Sequence, residues 1–328
     1  MLRYIIGRIV WTIPILFVVS LLAFLILQAP PGDFITAHTA TLLSDGQEVD
    51  YQQIEALRRH YGLDQSVFVQ YWKWISGVVV GDFGVSFEWR EPVSSLIWER
   101  MGLSVVLATT TVLFTWALAL PIGVYSAVKK YTFGDYVVTT IGFLGLATPN
   151  FLLALILMYV SVVYFGLDVS GLFSTEYKNA PWSWGKVKDL LAHLWIPVAI
   201  LGTSSTASII RVMRANLLDE LHKPYVTTAR AKGLSETKLL VRYPVRIALN
   251  PFVSTIGWIF PQIVSGSVIV SIVLSLPTAG PMYLTALKSQ DMFLAGSFVL
   301  LLSVLAVIGM LISDILLGII DPRIRFAK

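Results

Sequence analysis

The residues able to carry acid–base, metal or nucleophilic chemistry are few and scattered along this chain. The four histidines are His38, His60, His193 and His222, and there is no cysteine. The sequence contains no His-Glu-x-x-His metal motif, no Gly-x-Ser-x-Gly nucleophile motif and no Gly-x-x-x-x-Gly-Lys-Ser/Thr phosphate loop. We therefore expect a protein that is not an enzyme, holds no metal or cofactor, and does not hydrolyse ATP by itself.

One acidic residue, Asp314, lies well inside a long apolar stretch, where a carboxylate is costly unless it serves an ion or pairs with a base. A proton or cation site there would indicate an ion-coupled transporter. We favour a structural ion pair, because Asp314 lies roughly one to two helical turns from the end of its stretch. Arg211 or Arg214 is the expected partner.

The elements that carry these residues are predicted to be membrane-spanning helices. Hydrophobic residues make up 56% of the 328 residues and charged residues 13%, more apolar surface than a soluble domain can bury. A helix needs about 20 residues to cross the hydrocarbon core. Six stretches qualify: Val10–Leu27, Leu103–Val128, Tyr136–Phe165, Trp195–Leu218, Pro251–Leu276 and Phe293–Ile320. The predicted fold is an all-α polytopic membrane protein with six transmembrane helices.

The distribution of Lys and Arg predicts the orientation. The N-terminus, the 129–135 loop, the 211–250 segment and the C-terminal tail together hold 15 of the 24 basic residues. Short loops rich in Lys and Arg stay in the cytoplasm, so we expect both termini there. The opposite side holds 14 of the 20 acidic residues, mostly within 31–100.

We predict three regions: residues 1–30 with the first transmembrane helix, an external cap segment at 31–100, and a five-helix transmembrane core at 101–328 with a cytoplasmic loop at 219–250. In the cap, apolar residues at helical spacing predict helices over Tyr51–Tyr61 and Val67–Val79. The cap is compatible both with a lid packed on the helix bundle and with a docking surface for an external partner.

The cytoplasmic loop 219–250 is much longer than two neighbouring helices need. The pattern predicts a short helix from Tyr225, a left-handed stop at Gly233 and a second helix capped by Ser235. The apolar residues of this elbow are Tyr225, Ala229 and Leu234, and the basic ones around them are Arg230, Lys232, Lys238 and Arg242. A protein docking site fits this elbow better than the alternative, a basic helix on the membrane surface.

The stretch Tyr225–Leu234, with the sequence YVTTARAKGL, resembles the cytoplasmic loop signature of one family. These are the permeases of the dipeptide, oligopeptide and nickel group of binding-protein-dependent ABC importers. Further similarities occur in the expected order along essentially the whole chain, from the opening MLRY to Pro31-Gly32-Asp33, the GDFGVS stretch from Gly81, Pro121-Ile122-Gly123 and the closing DPRIR from Asp321.

The resemblance implies a permease of the type I importer fold. In that family the loop forms a coupling helix that inserts into a groove of the ATPase subunit. The residues to which the resemblance gives this role are Tyr225, Thr228, Ala229, Arg230, Ala231, Lys232, Gly233, Leu234 and Ser235. It further implies a homologous second permease subunit, one or two ATPase subunits that bind ATP and Mg²⁺, an external solute-binding protein, and a location in a prokaryotic inner membrane.

Some positions depart from the family pattern. Thr227-Thr228-Ala229 stands where the general loop begins Glu-Ala-Ala, and Tyr243-Pro244 stands where the peptide group usually has His-Ala. Pro244 is expected to kink or end its helix. Leu274–Pro281 replaces a Phe-Ser-Trp-Pro-Gly-type turn. The resemblance therefore implies import of peptides or of oligosaccharides by alternating access, without deciding between them.

A pathway for polar solutes needs polar or small side chains within the spans. The candidates are Asn150, Ser204, Ser205, Ser208, Ser254, Gln262, Ser265 and Gly266. Small and hydroxyl residues also allow membrane helices to pack closely, so this alternative stays open. Asn150 follows Pro149 and is expected to mark a helix interruption, where it would line the interior or cap freed backbone groups. The rival function is a stand-alone ion-coupled secondary transporter, for which paired interrupted helices or several intramembrane carboxylates are typical.

Overall fold

A computed structural model describes residues 2–44, 51–60, 62–166 and 169–320, and every regular element within these ranges is helical. In chain order the helices are α1 (Leu2–Leu27), α2 (Phe34–Ser44), α3 (Tyr51–His60), α4 (Val67–Val79), α5 (Val93–Val128), α6 (Phe133–Ala147), α7 (Asn150–Phe165), α8 (Trp184–Leu221), α9 (Pro224–Ala231), α10 (Glu236–Arg242), α11 (Pro244–Ala248), α12 (Asn250–Ser254), α13 (Ile256–Gly266), α14 (Val268–Val273), α15 (Ala279–Lys288) and α16 (Met292–Ile320). The predicted all-α polytopic class is confirmed.

Within the described ranges, four helices are individually long and apolar enough to cross a membrane: α1, α5, α8 and α16. The predicted third span is the pair α6 and α7, which bend by 99° at their junction. The bend follows from Pro149, which lacks an N–H group and holds the preceding Thr148 in an extended conformation with ψ 118°. The interruption predicted before Asn150 is therefore confirmed.

The predicted fifth span, Pro251–Leu276, is not one continuous helix. It is divided into α12, α13 and α14, with junctions at Thr255 and Ser267. The N–H of Trp258 binds the carbonyl of Thr255 three residues earlier, which is a tighter turn than in an α-helix. Within the described residues, four single helices and one bent pair thus meet the length and composition of a membrane span, where six long helices were predicted.

Three helices begin well before their predicted starts, and the first of them, α1, begins at Leu2 instead of Val10. Helix α5 begins at Val93 instead of Leu103, and α8 begins at Trp184 instead of Trp195. The added turns carry charged residues such as Glu99 and Lys186, which lower the mean hydropathy without preventing a helix. A hydropathy pattern finds the part of a helix that can lie in lipid, and a helix can continue beyond it.

One compact unit comprises Met1–Ser104 together with Thr278–Val307. It contains the cap helices, and α4 has the predicted bounds Val67–Val79. The predicted apolar face of α4 is confirmed, since Tyr71 and Trp74 are buried in a core with Phe24 of α1 and Met292 of α16. The predicted helix Tyr51–Tyr61 is α3; Tyr61 lies outside the described residues. Helix α2 was not predicted.

A polar contact within this unit fastens the loop between α4 and α5 to the start of α16. Asp291 is fully buried, and its carboxylate accepts hydrogen bonds from the Ser86 hydroxyl at 2.5 Å and from the Glu88 N–H at 3.2 Å. Its other oxygen accepts from the N–H of Leu294 and so caps α16. Burial raises the pKa of Asp291 above its ordinary value, although these hydrogen bonds act in the opposite direction.

The second compact unit comprises Val105–Pro277 together with Ile308–Lys328, as far as these residues are described. Its core beside the 219–250 loop is built from α5, α8, α11 and α12; the buried residues are Ala127, Met213, Leu217, Ala248 and Phe252. Helices α5 and α8 approach closely at Gly123, where a β-carbon would lie 2.7 Å from the β-carbon of Met213. This core supports the segment that carries the candidate site.

Candidate coupling site

The predicted elbow has the expected helix, break, helix geometry. Helix α9 ends at Ala231, and Gly233 follows with φ +76°, a conformation that residues with a β-carbon rarely adopt. The N–H of Gly233 binds the carbonyl of Arg230 at 3.0 Å, and the N–H of Leu234 binds that of Ala229 at 3.4 Å. This pair of bonds is the Schellman motif, which satisfies the last carbonyls of a helix and reverses the chain.

The second helix of the elbow begins after Ser235, as predicted. Ser235 has the extended conformation of an N-cap residue, with φ −62° and ψ 143°. Its hydroxyl makes no capping hydrogen bond, so the prediction is right for the backbone and wrong for the side chain. Helix α10 ends at Arg242, and Pro244 takes the first-turn position of α11. The prediction that Pro244 ends this helix is confirmed.

The elbow has its own small core. Val226 and Leu239 have no exposed surface, and Ala229 lies beside them at 8% exposure. Tyr225 and Leu234 pack against the same cluster. Sequence reasoning missed Val226 and Leu239, which lie on different helices and meet only because the chain reverses at Gly233. Because this core joins α9 to α10, the two helices form one stiff body.

The candidate coupling residues therefore separate into two sets. Tyr225, Ala229 and Leu234 face inward and hold the elbow together. The exposed set, which is available to a partner, comprises Thr228, Arg230, Ala231, Lys232, Gly233 and Ser235. The elbow thus presents small and positively charged groups on a rigid support.

An ion pair spans the break in the elbow. The Arg230 Nε donates to Glu236 Oε1 at 2.6 Å, and its Nη2 donates to Oε2 at 3.1 Å. The hydrogen bond from Arg230 lowers the pKa of Glu236, and the same bond raises that of Arg230. Both side chains are more than half exposed, so solvent screens the pair and it orients Arg230 more than it stabilises the fold.

The elbow is attached firmly to α8. Only His222 and Lys223 separate α8 from α9, and the Tyr225 hydroxyl donates to Glu220 Oε2 at 2.5 Å. Burial, followed by this hydrogen bond to an acidic partner, raises the pKa of Tyr225, so the phenol remains a proton donor at physiological pH. The short connection and this hydrogen bond together join the elbow to the end of α8.

Of the two predicted partners of Asp314, Arg214 binds another carboxylate. Arg214 binds Asp135, with its Nε 3.2 Å from Oδ1 and its Nη2 3.0 Å from Oδ2. Arg214 is thus the partner of Asp135, and the ion pair expected for Asp314 stays a prediction. Sequence reasoning also missed Asp135, because it lies one residue outside the predicted third span. Its position three residues after Thr132, a typical N-cap residue, was the available signal.

The pathway candidates lie in the second unit on α7, α8, α12 and α13. The hydroxyl of Ser205 donates to the Leu201 carbonyl on its own helix at 3.5 Å, and that of Ser254 donates to the Pro251 carbonyl at 2.7 Å. The surface-exposed candidates are Ser205, Ser254, Gln262, Ser265 and Gly266, whereas Asn150, Ser204 and Ser208 are partly buried. No bond among them gathers these residues into one described site, and their pathway role stays a prediction.

Comparisons with known proteins agree with this architecture. Residues 119–326, which include the elbow, match the family described as the binding-protein-dependent transport system inner membrane component. Residues 1–108 match the N-terminal region of membrane components of the same transport systems. The chain belongs to this family. The predicted membership in the binding-protein-dependent permeases of ABC importers is confirmed.

Relatives of this permease are similar over their whole length. The oligopeptide transport system permease protein AppB of Bacillus subtilis is 35% identical over 327 residues, covering 99% of this chain and all of AppB. The glutathione transport system permease protein GsiC of Escherichia coli is 32% identical over 326 residues, with the same coverage. The similarity thus covers nearly the whole permease and the whole of single permease subunits that are named for oligopeptide and glutathione transport.

Proposed function

We propose that this chain is the transmembrane permease subunit of an ATP-driven importer that moves peptides delivered by an external solute-binding protein. The observation that carries the proposal is the elbow, a stiff pair of helices with its own core, an exposed small and basic face, and a two-residue connection to a 38-residue helix. Such a body transmits a push from a partner protein without deforming.

The elbow acts as the coupling element. Thr228, Ala231 and Lys232 lie on its exposed face, where a groove of an ATPase subunit is the proposed partner. The inward residues keep the angle between α9 and α10 fixed. ATP and Mg²⁺ are bound by the partner ATPase subunits, and the energy of their closure reaches this chain as a displacement of α8.

The chain forms half of a translocation path, with a homologous second permease subunit supplying the other half. Both termini and the elbow lie in the cytoplasm, and the cap helices lie outside, in accord with the distribution of basic residues. An external solute-binding protein then meets the cap, and the ATPase subunits meet the elbow. Alternating access requires a solute-binding protein on one side of the membrane and ATPase subunits on the other. This orientation makes the cap accessible to the first and the elbow accessible to the second.

Peptides are the proposed solutes. The relatives AppB and GsiC are named for oligopeptide and glutathione transport, and glutathione is itself a tripeptide. The departures around Tyr243 and in Leu274–Pro281 give no reason to prefer oligosaccharides over peptides. Measuring the uptake of both solute classes distinguishes a peptide importer from an oligosaccharide importer.

The experiment is purification of the chain with the subunits encoded beside it, followed by reconstitution into vesicles with the solute-binding protein. Uptake of a mixture of dipeptides to pentapeptides, of glutathione and of maltooligosaccharides is measured by mass spectrometry with and without ATP. We expect ATP-dependent uptake of peptides. ATP-dependent uptake of oligosaccharides alone would overturn the solute class, and uptake driven by an ion gradient without ATP would overturn the importer.

The role of the elbow is tested with Lys232→Glu, which reverses a charge on the exposed face without touching the core. We expect the ATPase subunit to dissociate from the complex or to lose stimulation by loaded solute-binding protein. Lys178→Glu is the matched control, because Lys178 is also exposed but belongs to the segment predicted to lie outside. Equal effects of the two substitutions would contradict the proposed docking face.

A further inference from the structure

Three helices of the second unit converge on one buried carboxylate. Asp135, in the first turn of α6, is 2% exposed. Its Oδ1 accepts hydrogen bonds from the Ser126 hydroxyl of α5 and from Nε of Arg214 on α8, and its Oδ2 accepts from Nη2 of Arg214. A planar guanidinium bound by two parallel hydrogen bonds fixes both the distance and the angle between its helices.

The same carboxylate holds the turn between α5 and α6. The N–H of Tyr131 donates to Asp135 Oδ2 at 2.9 Å, and Tyr131 has φ +64°, which is unfavourable for a residue with a β-carbon. The Tyr131 ring is exposed, so packing of the side chain does not explain this conformation. Backbone strain of this kind persists only where neighbouring contacts enforce it, and Asp135 supplies such a contact.

The cluster lies close to the elbow along the chain. Arg214 precedes Pro224, the first residue of α9, by ten positions, which is about 15 Å along a helix. Between them, Leu217 of α8 is fully buried in the core that includes Ala248 of α11. A displacement delivered to the elbow therefore reaches Arg214 through a packed helix.

We infer that Asp135 and Arg214 are positioning residues for coupling, which join α5 and α6 to the helix that carries the elbow. With the pair intact, α5, α6 and α8 move as one body when the elbow is pushed. Without it, α8 is displaced while the α5–α6 turn stays behind, so ATP is hydrolysed without a matching opening of the path. This inference rests on the proposed function, and it assigns a transmitting role to residues outside the docking face.

The test compares peptide imported per ATP hydrolysed by the reconstituted importer, with the same peptide mixture as the probe. The variants are Asp135→Asn, Arg214→Gln and the double variant, and the control is Arg211→Gln, an exposed arginine on the same helix. We expect the ratio to fall about tenfold in both single variants while ATP hydrolysis persists. The control should keep the ratio of the unmodified protein.

The double variant distinguishes an effect on coupling from an effect on folding. The Asp135 side chain is buried and that of Arg214 is 28% exposed, so a single substitution leaves one charged group without its partner, whereas replacing both members of such a pair is commonly tolerated. We therefore expect the thermal stability of the complex to recover in the double variant while the import ratio stays low. Recovery of both quantities would overturn the inference, because the pair would then matter only for stability.

An unchanged ratio of imported peptide to hydrolysed ATP in the single variants would also overturn the inference. If the unmodified importer itself shows no ATP-dependent import, the proposed function fails first, and that result is visible before any variant is compared.

Discussion

A β-carbon at Gly309 would lie 2.9 Å from the Cα atom of Gly257, so α16 and α13 touch backbone to backbone at these two glycines. The nearest atoms also include the Ile256 carbonyl at 3.2 Å, which cannot move aside as a flexible side chain can. Small residues at helix crossings are the usual means of close packing in membranes, where dispersion contacts replace the hydrophobic effect. Gly257 and Gly309 thus allow α13 and α16 to pack closely.

We expect Gly309→Val to separate these helices and to destabilise the protein by about 1–3 kcal/mol, since no side-chain rearrangement can accommodate the added carbons. The measurement is the melting temperature of the purified complex in detergent. Gly102→Ala is the control, because a β-carbon at Gly102 of α5 meets nothing within 4 Å. A melting temperature as low for Gly102→Ala as for Gly309→Val would contradict the packing argument.

The left-handed turn at Gly233 gives a second prediction. A β-carbon there would meet nothing within 4 Å, so a substitution acts through the backbone conformation alone. We expect Gly233→Val to cost about 1–2 kcal/mol locally and to loosen the elbow. Stimulation of ATP hydrolysis by loaded solute-binding protein should then be lost. Gly233→Asn should retain most of it, because Asn tolerates this conformation better than other residues; equal losses would show that the turn is not the cause.

The hydroxyl of Tyr225 should contribute to the rigid connection between α8 and α9. Tyr225→Phe removes its bond to Glu220 and should cost about 1 kcal/mol. We expect faster hydrogen exchange of the amides in Pro224–Ala231 and weaker coupling of import to ATP hydrolysis. Tyr243→Phe, on a more exposed ring in the same loop, is the comparison and should leave exchange in α9 unchanged.

Acid should loosen the start of α2. The Asp33 carboxylate accepts from the Thr36 hydroxyl at 2.6 Å, from the Thr36 N–H at 2.8 Å and from Arg58 Nε at 3.1 Å. Burial raises the pKa of Asp33, but these hydrogen bonds lower it by more, so it lies below the ordinary value of 3.8. The unfolded chain then takes up the proton at a higher pH than the folded chain. The stabilisation is complete above about pH 4 and is lost as the pH falls through the folded pKa.

Hydrogen exchange of the α2 amides between about pH 6 and pH 3, corrected for the intrinsic exchange rate, measures this effect. We expect protection to fall on acidification, and Asp33→Asn should remove the pH dependence. Glu55→Gln is the matched control, because Glu55 is 55% exposed and lies 3.7 Å from the same arginine. A pH dependence that survives Asp33→Asn would assign it to another group.

Local signals in the sequence predicted local structure well. The bounds of α4, the left-handed stop at Gly233 and the interruption at Pro149 follow from helical periodicity, from the missing β-carbon and from the missing N–H. The resemblance carried by Tyr225–Leu234 also predicted the family correctly. Each of these features depends on residues within one or two turns of one another.

The sequence pattern did not predict which residues pair when they are far apart in the chain. Asp135 and Arg214 are 79 positions apart, and nothing local to either residue names the other. The inward set of the elbow was incomplete because Val226 and Leu239 meet only after the chain reverses at Gly233. The starts of α5 and α8 were missed because hydropathy identifies only the part of a helix that can lie in lipid. Helix α5 also includes Glu99 and helix α8 also includes Lys186, and both residues precede that part.

The bond between Ser86 and Asp291 joins residues 205 positions apart, and this separation orders events during synthesis. The ribosome makes the cap segment early, but the carboxylate that holds its loop, and the Met292 side chain that completes its core, emerge only with α16. The core of the cap therefore stays incomplete until nearly the whole chain has been made. A chain that stops before Asp291 would leave Ser86 without this carboxylate and the core around Tyr71 and Trp74 without Met292, so we expect it to be proteolysed faster than the whole chain.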